Sequence, residues 1–208
     1  MPGPIGGLIL AGGAGRRALP HDKLLTRDAS GQPMIARTVA HARASRLDQV
    51  LLVLGHDAGR IRDACPAIAC VVAADHAEGL AASLRCGIAA AEAAGWGAAL
   101  VCLGDMPLVT PAIIDRLLQA FRARNVPPDA VLPLADGIPG NPVLWHRRMF
   151  PQLLALTGDA GARRLLDRPG TDRLAVETAD PAVLADFDTP ERLELFARSG
   201  PPFLPVDR

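Results

Sequence analysis

The sequence has no tyrosine and only one lysine, Lys23, among its 22 lysine and arginine residues. An ammonium group is a compact point charge, whereas a guanidinium group is planar and spreads its charge, so arginine does not replace lysine in a tight phosphate pocket. A single lysine can also persist by chance in an arginine-rich chain. Because Lys23 follows closely on a turn of three glycines and two arginines, we interpret it as a functional residue.

The sequence also lacks an excess of either charge, because 22 acidic residues balance the basic ones and the formal net charge is zero. A chain without a net field does not attract nucleic acid or an anionic membrane surface, so an anionic ligand must be bound locally. No apolar run reaches the ~20 residues that a membrane helix needs, and the amino terminus lacks the pattern of an export signal. We therefore expect a soluble, cytoplasmic protein with no nucleic-acid or membrane partner.

Signatures of covalent catalysis are absent from the sequence. There is no G-x-S-x-G or H-E-x-x-H motif, and no cysteine and histidine are paired. The four cysteines have no C-x-x-C spacing and the five histidines have no metal-ligand spacing. We expect reduced, buried thiols and no protein nucleophile.

Apolar, strand-like runs alternate with alanine-, leucine- and arginine-rich helical runs along the whole chain. This alternation predicts one α/β domain over residues 1–208, with a mostly parallel central sheet and helices on both faces. The tail Gly200 to Arg208 is expected to be extended. The predicted strands are residues 5–10, 49–54, 69–73, 98–103, 130–134, 142–145 and 174–177. The predicted helices are residues 33–44, 58–64, 80–94, 111–124, 147–156, 160–167 and 190–198.

The first predicted strand leads into a turn with the features of a phosphate-binding site. Glycines within residues 12–15 let the backbone approach an anion and point N–H groups at it, and Arg16, Arg17 and Lys23 add positive charge. The turn also matches G-x-G-x-x-A, the dinucleotide fingerprint. Pro20 interrupts the helix that this fingerprint requires, so an NAD(P)-binding oxidoreductase is a distant alternative.

Two other strand ends carry carboxylates. Asp105 follows the fourth predicted strand directly and is well placed to hold Mg²⁺, which takes one or two protein carboxylates and completes its shell with phosphate and water. Near the carboxyl end, Asp186 and Asp188 precede a helix that opens with Pro190, and either could supply a second ligand. The simpler interpretation is that Asp105 begins a turn and that Asp188 or Thr189 caps the helix.

Two further segments are candidates for binding substrate. Gly79 and Ser83 lie where the third predicted helix begins, and a helix amino end can receive a base or a phosphate. Ordinary helix-boundary punctuation explains the same two residues equally well. Residues 136–144 form a rigid, apolar loop of glycines and prolines, which we interpret as a wall of a substrate site.

Together these segments resemble the nucleotidyltransferases that attach a nucleotide to molybdopterin, the molybdenum cofactor cytidylyltransferase and guanylyltransferase family. The resemblance runs from about residue 5 to residue 198. It rests on L-A-G-G-A-G-R-R at residues 10–17 with Lys23, E-G-L-A-A-S at 78–83, L-G-D-M-P at 103–107, G-I-P-G-N-P at 137–142 and D-F-D-T-P at 186–190. The sequence departs from the family where Ala18 and Leu19 follow Arg17 in place of the usual M-G.

The resemblance implies a Rossmann-like domain in which the terminal phosphate of molybdopterin attacks the α-phosphorus of a nucleoside triphosphate, with Mg²⁺ as cofactor and pyrophosphate as leaving group. It implies three catalytic residues, Arg17, Lys23 and Asp105. It implies metal binding by Asp105 and, in preference to Asp186, by Asp188. Its nucleotide-binding roles fall on Gly12, Gly13, Arg17 and Lys23. We add Leu10, Ala11, Gly79 and Ser83 as nucleotide-binding candidates, and Gly140, Asn141 and Pro142 as substrate-binding candidates.

The motifs disagree on which nucleotide base the protein uses. L-A-G-G at residues 10–13 resembles the guanine-using branch, whereas four other segments resemble the cytosine-using branch, so we predict CTP with GTP as the alternative. We also expect alanine at position 12 to leave CTP use nearly intact, since the cytosine branch more often reads A-A-G there. A sugar nucleotidyltransferase and a non-catalytic nucleotide-binding module remain alternatives, and a molybdoenzyme or its chaperone would receive the product.

Overall fold

The computed structural model describes residues 3–13, 23–158 and 161–199, which form one eight-stranded sheet with helices on both faces. The predicted α/β class is confirmed. The strands are β1 (Ile5–Ala11), β2 (Gln49–Leu54), β3 (Ala69–Val72), β4 (Ala98–Leu103), β5 (Ala130–Ala135), β6 (Ile138–Pro139), β7 (Val143–His146) and β8 (Arg173–Glu177). The helices are α1 (Met34–Ala44), α2 (Ala58–Ala64), α3 (Leu80–Ala93), α4 (Pro111–Arg122), α5 (Phe150–Leu154), α6 (Arg163–Leu166) and α7 (Pro190–Arg198). Among the described residues, no helix is long and apolar enough to cross a membrane.

The strand order is β3-β2-β1-β4-β7-β5-β6, and β8 pairs with β5. β1 pairs in parallel with β2 and with β4, so the chain leaves β1 toward one side and later returns to its other side. A sheet of this kind opens a crevice at the carboxyl ends of the two strands that flank such a reversal. In this fold those strands are β1 and β4.

Successive residues of β1 pack into opposite layers, which explains why the whole strand is apolar and buried. Ile5 and Ile9 belong to the core beneath α1, α2 and α4, whereas Leu8 and Leu10 belong to the core beneath α3, α5 and α6. Both faces of β1 are thus covered, and its carboxyl end emerges from the centre of the protein.

Several predicted boundaries differ from the structure. The strand predicted over residues 142–145 is Val143–His146, and it runs antiparallel to both of its neighbours. The hairpin strand Ile138–Pro139 was not predicted, because two residues carry no periodic signal. The helix predicted over residues 147–156 is a 3₁₀ turn, Arg147–Met149, followed by the short α5. The helix predicted over residues 160–167 is limited to Arg163–Leu166, and the predicted tail, Gly200 to Arg208, lies outside the described residues.

Arg37 of α1 forms a buried ion pair with Asp28 and also packs against α7. Arg37 of α1 is 1% exposed and donates to Asp28, which is 5% exposed. Its guanidinium also lies 4.9 Å from the ring centroid of Phe196 in α7 and donates to the hydroxyl of Ser199. Burial acts to raise the pKa of Asp28, but hydrogen bonds from Ser30 and Gln32 and the charge of Arg37 outweigh it and hold the pKa below its usual value. The ion pair is therefore fully charged at neutral pH.

Replacement of Asp28 by asparagine is expected to lower the free energy of unfolding by about 3–5 kcal/mol at pH 7, because it leaves the buried Arg37 charge without its counter-charge. Urea denaturation measures this loss. The exposed Asp63 of α2 provides the control, and Asp63→Asn should change stability by less than about 0.5 kcal/mol. Because the pKa of Asp28 is depressed in the folded protein, its contribution is present above about pH 4 and declines as the pH falls further. Equal stability of Asp28→Asn and wild type would contradict the role of the pair.

Candidate active site

Three segments that carry predicted site residues meet at one edge of the sheet. β1 leads into Gly12 and Gly13, and its neighbour β4 leads into Gly104 and Asp105, with Leu10 opposite Leu103 in the register. β7 begins at the same edge, because Val143 lies opposite Val101 in an antiparallel pair. The loop at residues 140–142 therefore stands beside the carboxyl end of β4.

The ammonium of Lys23 bridges two carboxylates at this edge. Its Nζ lies 2.5 Å from Oδ2 of Asp105 and 2.6 Å from Oδ1 of Asp188, although the two aspartates are far apart in sequence. The side chain of Asp105 is 9% exposed, that of Lys23 19% and that of Asp188 37%. We call the space between the two carboxylates, now filled by the ammonium, the cation notch.

The cation notch keeps Lys23 charged. Burial acts to lower the pKa of Lys23, but the charge of Asp105, followed by hydrogen bonds to Asp105 and Asp188 and the charge of Asp188, outweighs it and raises the pKa above its usual value. Lys23 therefore provides a permanent positive charge at neutral pH. It cannot act as a general base there.

Helix α1 holds the loop that carries Asp105. The Thr38 hydroxyl lies 3.0 Å from the carbonyl oxygen of Gly104, and Nδ1 of His41 lies 3.0 Å from the carbonyl oxygen of Val109. Both side chains are buried. The loop is thus fixed on either side of Asp105, which helps to explain how this largely buried carboxylate takes a defined position.

Asp186 and Asp188 make different contacts in the structure. Thr189 is the residue that caps α7, with its hydroxyl accepting from the Arg192 amide. Arg192 also forms an ion pair with the exposed Asp186. Asp188 takes neither part and faces Lys23 instead. The preference for Asp188 as the candidate ligand agrees with this arrangement, because only Asp188 reaches the cation notch.

Gly12 is packed directly against the start of α3. A Cβ atom at position 12 would lie 2.1 Å from Oγ and 3.2 Å from Cβ of the buried Ser83. Across the turn, a Cβ atom at Gly55 would lie 2.6 Å from the carbonyl oxygen of Gly12. Alanine at position 12 would therefore require Ser83 to shift, and its effect on CTP use stays a prediction. Gly55 was missed at the sequence level, and its position directly after the second predicted strand was the available signal.

An apolar pocket of about 140 Å³ adjoins this edge of the sheet. Its walls include Leu10 from β1, Leu103 from β4 and Trp145 from β7, and the predicted substrate residues Gly140 and Asn141 line it as well. Pro142 is not among the lining residues, because it is buried against the strands. A Cβ atom at Gly140 would lie 2.4 Å from the carbonyl oxygen of Val183, so only glycine allows the two backbones to approach this closely.

Of the remaining candidates, Ala11, Gly79 and Ser83 border this edge, and Arg17 lies outside the described residues. Arg17, predicted to bind phosphate, lies in residues 14–22, which are not among the described residues. Gly79 adjoins the first turn of α3, which also carries Ser83, and Ala11 ends β1.

Burial raises the pKa of Cys102 to about 12 and that of Cys65 to about 11, so neither thiol is a nucleophile at neutral pH. Cys70 and Cys86 are only half-buried, contrary to expectation.

The two carboxylates of the cation notch could hold a divalent metal ion only if other ligands completed its shell. Within the described part of the chain, no group of three or more histidine, cysteine, aspartate or glutamate residues lies close enough to hold a metal ion. Two carboxylates nevertheless converge on a single cationic atom, the Nζ of Lys23. This is the donor set that suits Mg²⁺, which takes one or two protein carboxylates and completes its shell with phosphate oxygens and water.

Comparison with known proteins places these features in a family. Residues 7–175 match the family model described as the MobA-like NTP transferase domain. A bifunctional protein GlmU from Kineococcus radiotolerans is 29% identical over 124 residues, which are 58% of this chain and 25% of that protein. The molybdenum cofactor cytidylyltransferase of Escherichia coli is 30% identical over 117 residues, 56% of each protein. The chain thus spans only about a quarter to a half of the length of these relatives.

Two further proteins are similar over most of the chain. The purine catabolism protein PucB of Bacillus subtilis is 29% identical over 205 residues, covering 93% of this chain and 96% of PucB. The crystal structure of Rv0371c from Mycobacterium tuberculosis superposes with a TM-score of 0.80 at 28% identity and covers 96% of this chain and 100% of that chain. A second structure of Rv0371c, described as a complex with manganese, superposes with a TM-score of 0.71 at 26% identity and covers 93% and 98%.

Proposed function

The chain belongs to the MobA-like NTP transferase family and is a nucleotidyltransferase, and from this premise we propose that it transfers CMP from CTP to the terminal phosphate of molybdopterin. The observation that carries the proposal is the cation notch. Asp105 and Asp188 meet at one cation, beside the glycine turn that ends β1. A nucleotidyltransferase needs this combination of a backbone anion site and a pair of carboxylates at its reaction centre.

Asp105 and Asp188 would hold Mg²⁺, and the bound ion would neutralise charge on the phosphates as the bond to pyrophosphate breaks. A structure of the related Rv0371c is described as a complex with manganese, which supports the use of a divalent ion by this chain. The residues of the chain have three tasks. Backbone N–H groups after β1 bind the triphosphate, the amino end of α3 and Ser83 form the far wall, and Lys23 adds a charge that is not titrated at neutral pH.

The bond changes require no protein nucleophile. An oxygen of the molybdopterin phosphate forms a bond to the α-phosphorus of CTP, while the bond from that phosphorus to the bridging oxygen of pyrophosphate breaks. Both buried thiols, Cys65 and Cys102, are protonated at neutral pH because burial raises their pKa values to about 11 and about 12. Catalysis therefore rests on orientation and charge neutralisation, as in other phosphoryl and nucleotidyl transfers.

Two observations bear on the substrates. Four sequence segments resemble the cytosine-using branch, and a relative at 30% identity is a cytidylyltransferase. The pocket beside β4 is lined mainly by leucine, valine and tryptophan, which suits a flat ring system better than a sugar that is polar on every face. A sugar nucleotidyltransferase is the second candidate, because the GlmU relative shares 29% identity over 58% of this chain. The product would pass to a molybdoenzyme or its chaperone.

The proposal is tested by measuring pyrophosphate release with Mg²⁺ present and each combination of CTP or GTP with molybdopterin or N-acetylglucosamine 1-phosphate. We expect release with CTP and molybdopterin, at a kcat/KM at least about tenfold above that with GTP. Background hydrolysis is measured without an acceptor. Preference for GTP would reassign the base, preference for the sugar phosphate would reassign the acceptor, and no release with any pair would favour a non-catalytic nucleotide-binding module.

A further inference from the structure

We propose that Lys23 is the resident cation of the notch in the nucleotide-free protein, and that its presence there makes metal binding conditional on nucleotide. The inference deepens the proposed function, on which it rests for the participation of a divalent ion. It assigns Lys23 a second role besides phosphate binding. The starting observation is that both carboxylates of the notch already share one positive charge.

The geometry of the cation notch prevents the ammonium of Lys23 and a divalent metal ion from occupying it together. Nζ of Lys23 lies 2.5 Å and 2.6 Å from the carboxylate oxygens of Asp105 and Asp188. Mg²⁺ requires the same kind of oxygen at ~2.0–2.1 Å, so an ion bound to the two oxygens that Nζ now contacts would compete with the ammonium for the same space. Positive charges so close together repel strongly, above all where the surroundings are only partly solvated. The metal ion can therefore enter only when the ammonium leaves.

The triphosphate supplies a reason for the ammonium to leave. Lys23 begins the short 3₁₀ helix Lys23–Leu25, just after the segment predicted to bind phosphate. A phosphate oxygen offers the ammonium a charge-assisted hydrogen bond equivalent to those it gives up. The same triphosphate brings further oxygen ligands for the metal ion, which two carboxylates alone do not complete. Nucleotide and metal ion thus enter together while Lys23 moves from carboxylate to phosphate.

A merely structural role for Lys23 predicts the opposite result. If the ammonium served only to hold Asp105 and Asp188 in place, its removal would loosen the carboxylates and weaken the binding of a metal ion. If the ammonium competes with the metal ion, its removal strengthens that binding. The sign of the change in metal affinity therefore separates the two roles, without any measurement of turnover.

The experiment is a titration of the protein with Mn²⁺ in the absence of nucleotide, in which electron paramagnetic resonance measures the free ion. Lys23→Met should bind Mn²⁺ at least about tenfold more tightly than wild type, because the competing charge is gone. Arg192→Met is the matched control. It also removes one positive charge, but from the exposed pair with Asp186 outside the notch, and should leave the Mn²⁺ affinity within about twofold of wild type.

A double variant, Lys23→Met with Asp188→Asn, locates the bound ion and should lose the gain in affinity. Unchanged or weaker Mn²⁺ binding in Lys23→Met overturns the proposal, as does an equal gain in Arg192→Met or a gain that persists in the double variant. Lys23→Gln gives the same comparison if the methionine variant does not fold. No substrate is present in this titration, so a missing transferase activity would refute the proposed function alone, and an active enzyme with unchanged Mn²⁺ affinity would refute the inference alone.

Discussion

Asparagine at position 105 or at position 188 is expected to lower Mg²⁺-dependent turnover by at least about a hundredfold while preserving the fold. Asparagine has nearly the shape of aspartate, but its oxygen carries no net charge and is a poorer ligand for a hard divalent ion. Asp188 is 37% exposed, so the loss of its ion pair to Lys23 should cost little stability, whereas Asp105 is largely buried and Asp105→Asn should lower the melting temperature more. Steady-state kinetics and melting temperatures measure the two effects.

Asp186→Ala is the matched control for these two variants. Asp186 lies two residues from Asp188, is exposed, and pairs with Arg192 instead of Lys23. We expect its removal to change turnover by less than about threefold, since exposed ion pairs contribute little. A larger loss of turnover in Asp186→Ala than in Asp188→Asn would show that the second metal ligand is assigned to the wrong residue.

Arginine at position 23 is expected to lower kcat/KM on the order of a hundredfold, although the charge is conserved. The cation notch admits a single small group, because Asp105 and Asp188 both lie within 2.6 Å of Nζ and Asp105 is largely buried. A guanidinium is wider and spreads its charge over three nitrogens, so it does not reproduce the contact of one atom with both carboxylates or reach one phosphate as a point charge. Initial rates over a range of CTP concentrations measure the change.

Arg192→Lys is the control. It replaces a guanidinium by an ammonium in an exposed ion pair, where the shape of the cation is not restricted. It should retain wild-type kinetics within about twofold. Wild-type kinetics in Lys23→Arg would mean that the notch requires only positive charge, and the singular lysine of the sequence would then be without functional meaning.

The parts of the fold that the sequence predicts are those with strong local signals. β1 is apolar on both faces and ends in glycines, and α4 begins at a threonine and proline, so both were predicted to within two residues. The candidate residues at the carboxyl ends of β1 and β4 were predictable because parallel strands bring their carboxyl ends to the same edge. This topology predicts that Asp105 lies near the end of β1, but it does not predict that Lys23 contacts both Asp105 and Asp188.

Features that depend on contacts between distant segments were not predictable. The antiparallel direction of β7 depends on the tight turn after β5, which holds too few residues to carry a periodic pattern. The tight contact between Gly12 and Ser83 depends on the distance between β1 and α3, which no single motif records. The resemblance to the cytosine-using branch therefore gave no indication that a methyl group at position 12 would press against Ser83.

Helix α1 has a consequence for how the reaction centre responds to disturbance. Its amide at Met34 donates to the carbonyl of Thr26 near Lys23, Thr38 contacts the loop of Asp105, and Arg37 holds the helix that follows Asp188. Helix α1 therefore contacts the segments that carry Lys23 and Asp105 and the helix that follows Asp188. A substitution that displaces α1 should disturb all three charged groups at once.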